Sequence, residues 1–278
     1  MARNIGPLEP EDYAEPRCVL CGEPYGAQTV QAVPQRRIIE KMDEYMARRD
    51  YAGAERHLLY WLNEAELGGD ARGKLMLLGE LVGHYRKTGE KEKCFARAEE
   101  ALALLKAMDY EQTVSAGTAW VNVATACSAF GEPERALTYF EKARAVYEAN
   151  ETAPQLLGGL YNNMALVCAS LGRYAQAHGL YDRAMECMQR VPGGALEQAI
   201  TCLNRADAVA AEQGEEASEA PVGALLDRAW TLLHAPDVRR DGYCAFVYEK
   251  CAPSFAHYGR FMDAEDLKKE AEELYERA

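Results

Sequence analysis

The sequence predicts an all-α solenoid of about six helix-turn-helix repeats, and three observations carry that prediction. An internal similarity recurs every 41 residues, the apolar residues inside each copy follow helical spacing, and no segment shows the β-branched alternation of a strand. The clearest pair of copies is Tyr161-Asn-Asn-Met-Ala165, Cys168, Leu171-Gly172, Tyr174, Ala177, Tyr181 and Ala184 against Trp120-Val-Asn-Val-Ala124, Cys127, Phe130-Gly131, Pro133, Ala136, Phe140 and Ala143. Moving forward by the same interval reaches Cys202-Leu-Asn-Arg-Ala206 and Val209, with Gly214 one residue late. Looser copies run through Tyr45, Tyr51, Ala54, Leu58 and Trp61, through Tyr85, Gly89, Cys94, Ala98 and Ala101, and through Phe255, Gly259, Phe261, Ala264 and Ala271.

Each copy reads as two amphipathic helices around a short turn. In the third, Trp120, Val123, Ala124 and Cys127 fall at i, i+3, i+4 and i+7, one face of a helix. Gly131 stands where that helix must stop, and Pro133 where the next accepts a residue without an N–H. Small residues at 124 and 136, matched by Ala165 and Ala177, let the paired helices approach closely. In the fifth copy, the Glu- and Ser-rich stretch from Glu212 to Ala220 before Pro221 predicts an exposed loop. Gly158-Gly159 and Gly193-Gly194 read as inter-repeat turns, and Pro253 as a kink or break in the first helix of the sixth copy. Tyr60, Trp61 and Trp230 read as core aromatics, and the polar run from Ala264 to Tyr275 suits a helix that closes the end of a stack.

The order aromatic, Asn, apolar, Ala, followed by Gly-x-Tyr-x-x-Ala-x-x-x-Tyr-x-x-Ala, resembles the tetratricopeptide repeat, most clearly over Tyr161 to Ala184 and Trp120 to Ala143. The family repeat is about 34 residues; the longer spacing here is similar to the subclass found in kinesin light chains and in bacterial peptide-sensing regulators. The resemblance implies a right-handed superhelix over residues 34–278 that binds a peptide or protein segment in its concave groove. Those regulators carry an additional effector or DNA-binding module, for which the 33 residues before Pro34 are short.

Composition bounds the partners. With 31 Lys and Arg against 44 Asp and Glu, the formal charge is −13, which argues against nucleic acid or an anionic membrane surface as ligand. Apolar stretches are broken by charge well before the ~18 residues of a membrane span, and Met1 is followed by no apolar signal core, so a cytoplasmic protein is expected. Nine scattered cysteines in a chain of this length favour reduced thiols over a disulfide framework, with Cys127 and Cys168 at small-residue core positions. The histidines share no motif, and no nucleophile elbow, phosphate loop or zinc-protease signature occurs, so no enzymatic activity is expected.

Two sets of residues are candidate sites. In the arm over residues 1–33, Cys18-Val-Leu-Cys21-Gly22 forms half of a zinc knuckle. Two thiolates so spaced aim at one tetrahedral ion, and His57, Cys94 or the same knuckle of a second chain could complete a structural zinc site; the alternative is a redox pair or two unpartnered thiols. The second set is Asn122, Asn163 and Asn204, recurring every 41 residues on a side of the first helix away from its packing face. Asn162, Thr125 and Asp207 neighbour them, and in the resembling family this Asn position contacts the backbone of an extended peptide. The same amides could instead bond between helices and hold repeat geometry. Charged residues at matching positions are Arg36, Glu40 and Asp43 in the first copy, Glu80, Arg86 and Lys87 in the second, and Glu249, Lys250 and His257 in the sixth.

The expected function is therefore a protein-interaction module or scaffold. Its alternatives are a peptide-sensing bacterial regulator of the same type, or a metal-stapled structural homodimer.

Overall fold

The computed structural model describes residues 30–150 and 152–277. They form twelve α-helices, with no strand among the described residues: α1 (Gln35–Ala47), α2 (Tyr51–Leu67), α3 (Ala71–Thr88), α4 (Lys91–Ala107), α5 (Val114–Ala129), α6 (Pro133–Ala149), α7 (Pro154–Ser170), α8 (Tyr174–Gln189), α9 (Ala195–Gln213), α10 (Glu215–Leu233), α11 (Gly242–His257) and α12 (Phe261–Arg277). The all-α repeat prediction holds. The chain falls into two compact units that divide between Glu132 and Pro133, so the first holds α1 to α5 and the second α6 to α12.

Local chemistry sets the ends of these helices. Asp50, Asp70, Thr113 and Asp241 precede α2, α3, α5 and α11, and each side chain accepts a hydrogen bond from a backbone N–H of the first turn. Gly131 and Gly172, at φ of 79° and 71°, take the left-handed conformation that turns the chain from one helix into the next. Pro133 is the first residue of α6, as its position predicts.

Within the first unit, α2 packs on α1 and α3, α4 on α3 and α5, and α3 lies against α5. Within the second, α8 packs on α7 and α9, α10 on α9, and α12 on α11, while α9 touches both α7 and α11. The odd-numbered helices thus lie side by side as one layer of each unit. Ala124, Ala136, Ala165 and Ala177 are fully buried, and in the second unit α7 and α8 pack together as Ala165 and Ala177 lead one to expect. The core of the second unit is continuous from Met185 on α8 to Leu274 on α12 and includes Cys202, Cys244 and Cys251. Cys94, Cys168, Cys187, Cys202, Cys244 and Cys251 are free thiols, and Cys127 and Cys168 are fully buried.

Four local expectations are corrected. The stretch from Glu212 to Ala220 is not an exposed loop: α9 runs to Gln213, Gly214 alone makes the turn, and α10 starts at Glu215 and continues through Pro221. Its acidic first turn favours the positive end of a helix, and Pro221 sits on the exposed face, where water can serve the carbonyl it leaves without a donor. Gly158 and Gly159 lie inside α7 rather than in a turn; a Cβ at 158 would come within 2.7 Å of Met188 Cε, so this glycine makes room for α8. Pro253 likewise lies inside α11, which runs on to His257, so the break expected there does not occur. Tyr60 is 56% exposed rather than core, because the buried face of α2 is drawn by Ala54, Leu58, Leu62 and Ala65, from which residue 60 points away. Trp230 does meet the core, edge-on to Phe255 at 5.8 Å between ring centroids.

Candidate functional site

The odd-helix layer of the second unit carries a cleft of about 510 Å³ between α9 and α11. Asp207, Ala210 and Ala211 of α9 form one wall; Pro253, Ser254 and His257 of α11, with Tyr258 just beyond it, form the other. Small side chains make the walls shallow, and polar groups stand at the edges. The Tyr258 hydroxyl donates to Asp207 Oδ1 at 2.8 Å and links the two walls. Burial first, and then the Asp207 carboxylate, push the Tyr258 hydroxyl well above the ordinary tyrosine range, so it remains a donor at any physiological pH. The His257 ring packs edge-on against Tyr258 at 4.8 Å.

Beside the cleft, Asn204 Nδ2 of α9 donates to Asn162 Oδ1 of α7 at 3.1 Å. The Tyr181 hydroxyl of α8 donates to the Asn204 carbonyl at 3.2 Å. Asn204 is thus tied to both neighbouring helices and holds the spacing of the layer. Its partner is Asn162 and not the repeat-equivalent Asn163, because adjacent helices meet offset along their axes rather than at identical repeat positions. Asn163 is half-buried on the same helix.

In the first unit, Asn122 on α5 is half-buried, and Gly79 on α3 has no room for a Cβ that would clear Asn122 Nδ2 by more than 3.0 Å. The Thr125 hydroxyl donates back to the Asn122 carbonyl at 2.9 Å, within its own helix. Glu80 on α3 is half-buried, and burial together with the Asp43 carboxylate of α1 raises its pKa above the usual range. Arg86 and Lys87 lie exposed in the last turn of α3, where cations complement the negative helix end. Lys87 also reaches back to place its ammonium 5.5 Å from the Tyr51 ring centroid and 3.9 Å from Met46 Sδ. Arg36 and Glu40 satisfy one another at 2.8 Å.

Glu249 accepts from the Tyr275 hydroxyl of α12 at 3.4 Å, and both Glu249 and Lys250 are exposed. The structure brings Asp207 and His257, both marked by the repeat analysis, to one cleft together with Ala210 and Ala211. Neither Ser254 nor Tyr258 is among the residues marked from the sequence; their spacing of four and eight residues after Lys250, on one helical face, was the available signal. Cys18 and Cys21 lie outside the described residues. Among the described residues no helix is long and apolar enough to cross a membrane.

Compared with family models and with curated proteins, the chain matches none. It is similar to several solved structures. BtubC (BKLC) from P. vanneervenii is 16% identical over 88% of this chain and 92% of that one, with a TM-score of 0.51. The TPR-like repeats of a Podosopora anserina kinesin light chain are 14% identical over 73% and 96%, at 0.51. A Rap protein complexed with competence and sporulation factor is 14% identical over 86% of this chain and 63% of that one, at 0.52. At these identities the likeness speaks to fold, and the fold is the tetratricopeptide-type helical repeat.

Proposed function

We propose that the chain is a protein-interaction module and that the odd-helix layer of its second unit receives an extended peptide segment. The observation that carries this reading is the cleft between α9 and α11. It offers apolar floor from Ala210, Ala211 and Pro253, and polar groups from Asp207, Ser254 and His257 at its margins. An extended chain loses water from its backbone groups on binding, so a floor of this kind gains when side-chain amides and carboxylates replace that water. This reading assigns that role to Asp207 in the cleft and to Asn162 and Asn163 on the neighbouring α7, with Asn204 serving mainly to tie α9 to α7. Many small contacts to a preformed surface fit recognition rather than catalysis. The Rap protein of the same fold is solved in complex with competence and sporulation factor, which supports the same reading here.

The test starts from co-purification of the untagged protein from its own cell extract, with mass spectrometry of what accompanies it. Affinity for that partner is then measured for Asn163→Ala, Asp207→Asn and Asn204→Ala. The first two should weaken binding by about three- to tenfold each, as expected for one net hydrogen bond, with the thermal midpoint unchanged for Asn163→Ala and at most modestly lower for Asp207→Asn, whose amide oxygen can still accept from Tyr258. Asn204→Ala should lower the midpoint, since the bond to Asn162 is lost. Undiminished binding by both Asn163→Ala and Asp207→Asn would remove the cleft from consideration.

A further inference from the structure

In the first unit, Glu55 on α2, His84 on α3 and Glu90 in the α3–α4 turn converge from three places in the chain. One carboxylate oxygen from each glutamate and one imidazole nitrogen all lie within 4.8 Å of one another. His84 is only 3% exposed, and its Nδ1 is buried with no hydrogen-bond partner. His84 thus lies close to two carboxylates with one of its ring nitrogens buried and unsatisfied, a combination that calls for a partner.

We propose that Glu55, His84 and Glu90 form a divalent-metal site of the zinc type, with Lys93 as the internal cation that a metal displaces. One imidazole and two carboxylates are a donor set Zn²⁺ accepts, with water completing the tetrahedron. Both carboxylates are oriented by second partners, as metal ligands usually are. The Tyr85 hydroxyl donates to Glu55 Oε1 at 2.9 Å, and the Thr88 hydroxyl to Glu90 Oε1 at 3.0 Å. At present the Lys93 ammonium bridges the pair, 2.9 Å from Glu55 Oε1 and 2.6 Å from Glu90 Oε2. It neutralises one of their two charges. Its side chain is half-exposed and can swing into solvent, whereas a divalent ion would neutralise both charges and give His84 a partner. Bond lengths near 2.0–2.2 Å require the three donors to close by roughly an ångström, a movement within reach of glutamate side chains. Lys93 holds both carboxylates below the usual range and burial holds the imidazole below its own, so all three are already in the protonation state that ligates. Bound metal would staple α2 to α3 and the turn after it.

The experiment uses the full chain carrying Cys18→Ser and Cys21→Ser, so that the arm cannot contribute. Calorimetric titration with Zn²⁺ should show one ion per chain, weakened at least tenfold by His84→Gln and by Glu90→Gln. Lys93→Met should act in the opposite direction, tightening Zn²⁺ by tenfold or more because the competing ammonium is gone, and Zn²⁺ should raise its thermal midpoint more than the parent's. If the His84 variant does not fold, the Lys93 variant still decides. Absence of Zn²⁺ uptake by the Lys93 variant, or Zn²⁺ affinity indifferent to His84→Gln, overturns the site.

Discussion

Arg183 of α8 lies with its guanidinium 4.1 Å from the centroid of the Tyr161 ring of α7, and one of its nitrogens donates to the Tyr161 hydroxyl at 2.6 Å. The same guanidinium donates to Glu148 of α6 at 2.9 Å, and the Tyr161 hydroxyl donates to that carboxylate at 2.9 Å. A tyrosine, a carboxylate and a cation from three consecutive helices thereby close on one another at the edge of the core. Tyr85, Glu55 and Lys93 make the same three-way contact in the first unit, with the ammonium 5.1 Å from the ring centroid. Phenol, carboxylate and cation satisfy one another where helix packing leaves the polar end of a buried ring at the surface.

Tyr161→Phe keeps the ring in the core and deletes the hydroxyl, and should cost about 1.5 kcal/mol at neutral pH, the low end for a bond to a charged acceptor that keeps a second partner. Burial, followed by Glu148, pushes the Tyr161 hydroxyl up to about 12. A folded-state pKa raised above the unfolded value means that this stabilisation is whole below about pH 10 and is lost as pH rises from about 10 to 12. Urea unfolding measured at pH 9 and at pH 11 should therefore show a smaller alkaline loss in the Phe variant than in the parent. Equal losses would mean that the hydroxyl ionises as freely in the folded chain as in the unfolded one.

Asp50 and Asp70 cap successive helices but should differ in worth. Asp50 is exposed and accepts from Gly53 N at 2.8 Å. Asp70 is buried and accepts from Gly73 N at 2.8 Å through one oxygen and from Val33 N at 2.9 Å through the other. Asp50→Ala should cost about 1 kcal/mol, and Asp70→Ala roughly 2–3 kcal/mol because a buried donor outside the helix is orphaned as well. Denaturant midpoints at constant slope measure both, and a ranking in the other direction would contradict the double role of Asp70.

Gly79 and Asn122 should be coupled. A Cβ at 79 would sit 3.0 Å from Asn122 Nδ2, tighter than ordinary packing, so the helix-propensity gain of Gly79→Ala is offset in the parent. In an Asn122→Ala background the same change should stabilise by about 0.5–1 kcal/mol. A double-mutant cycle in chemical denaturation reads the difference directly, and strict additivity would show that α3 and α5 are not held in contact by this pair.

The sequence by itself determined the helical repeat, its 41-residue period and the residues that end and pack each hairpin. Gly131, Pro133, Ala124, Ala136, Ala165 and Ala177 all occupy the positions their chemistry predicts, because backbone conformation and side-chain size act over a few residues and repeat with the period. Proline and glycine misled where burial or exposure decided instead: Pro221 and Pro253 are carried inside helices, and Gly158 serves the Met188 side chain of α8 rather than a turn. The tertiary structure alone decided which repeat positions meet. Asn204 bonds Asn162 across an offset of 42 residues, Tyr258 reaches Asp207 across 51, and His84 is buried between glutamates of a preceding helix and a following turn. A repeat period specifies the face on which a side chain stands, but the axial stagger of two packed helices, set by how their whole surfaces interdigitate, specifies its partner.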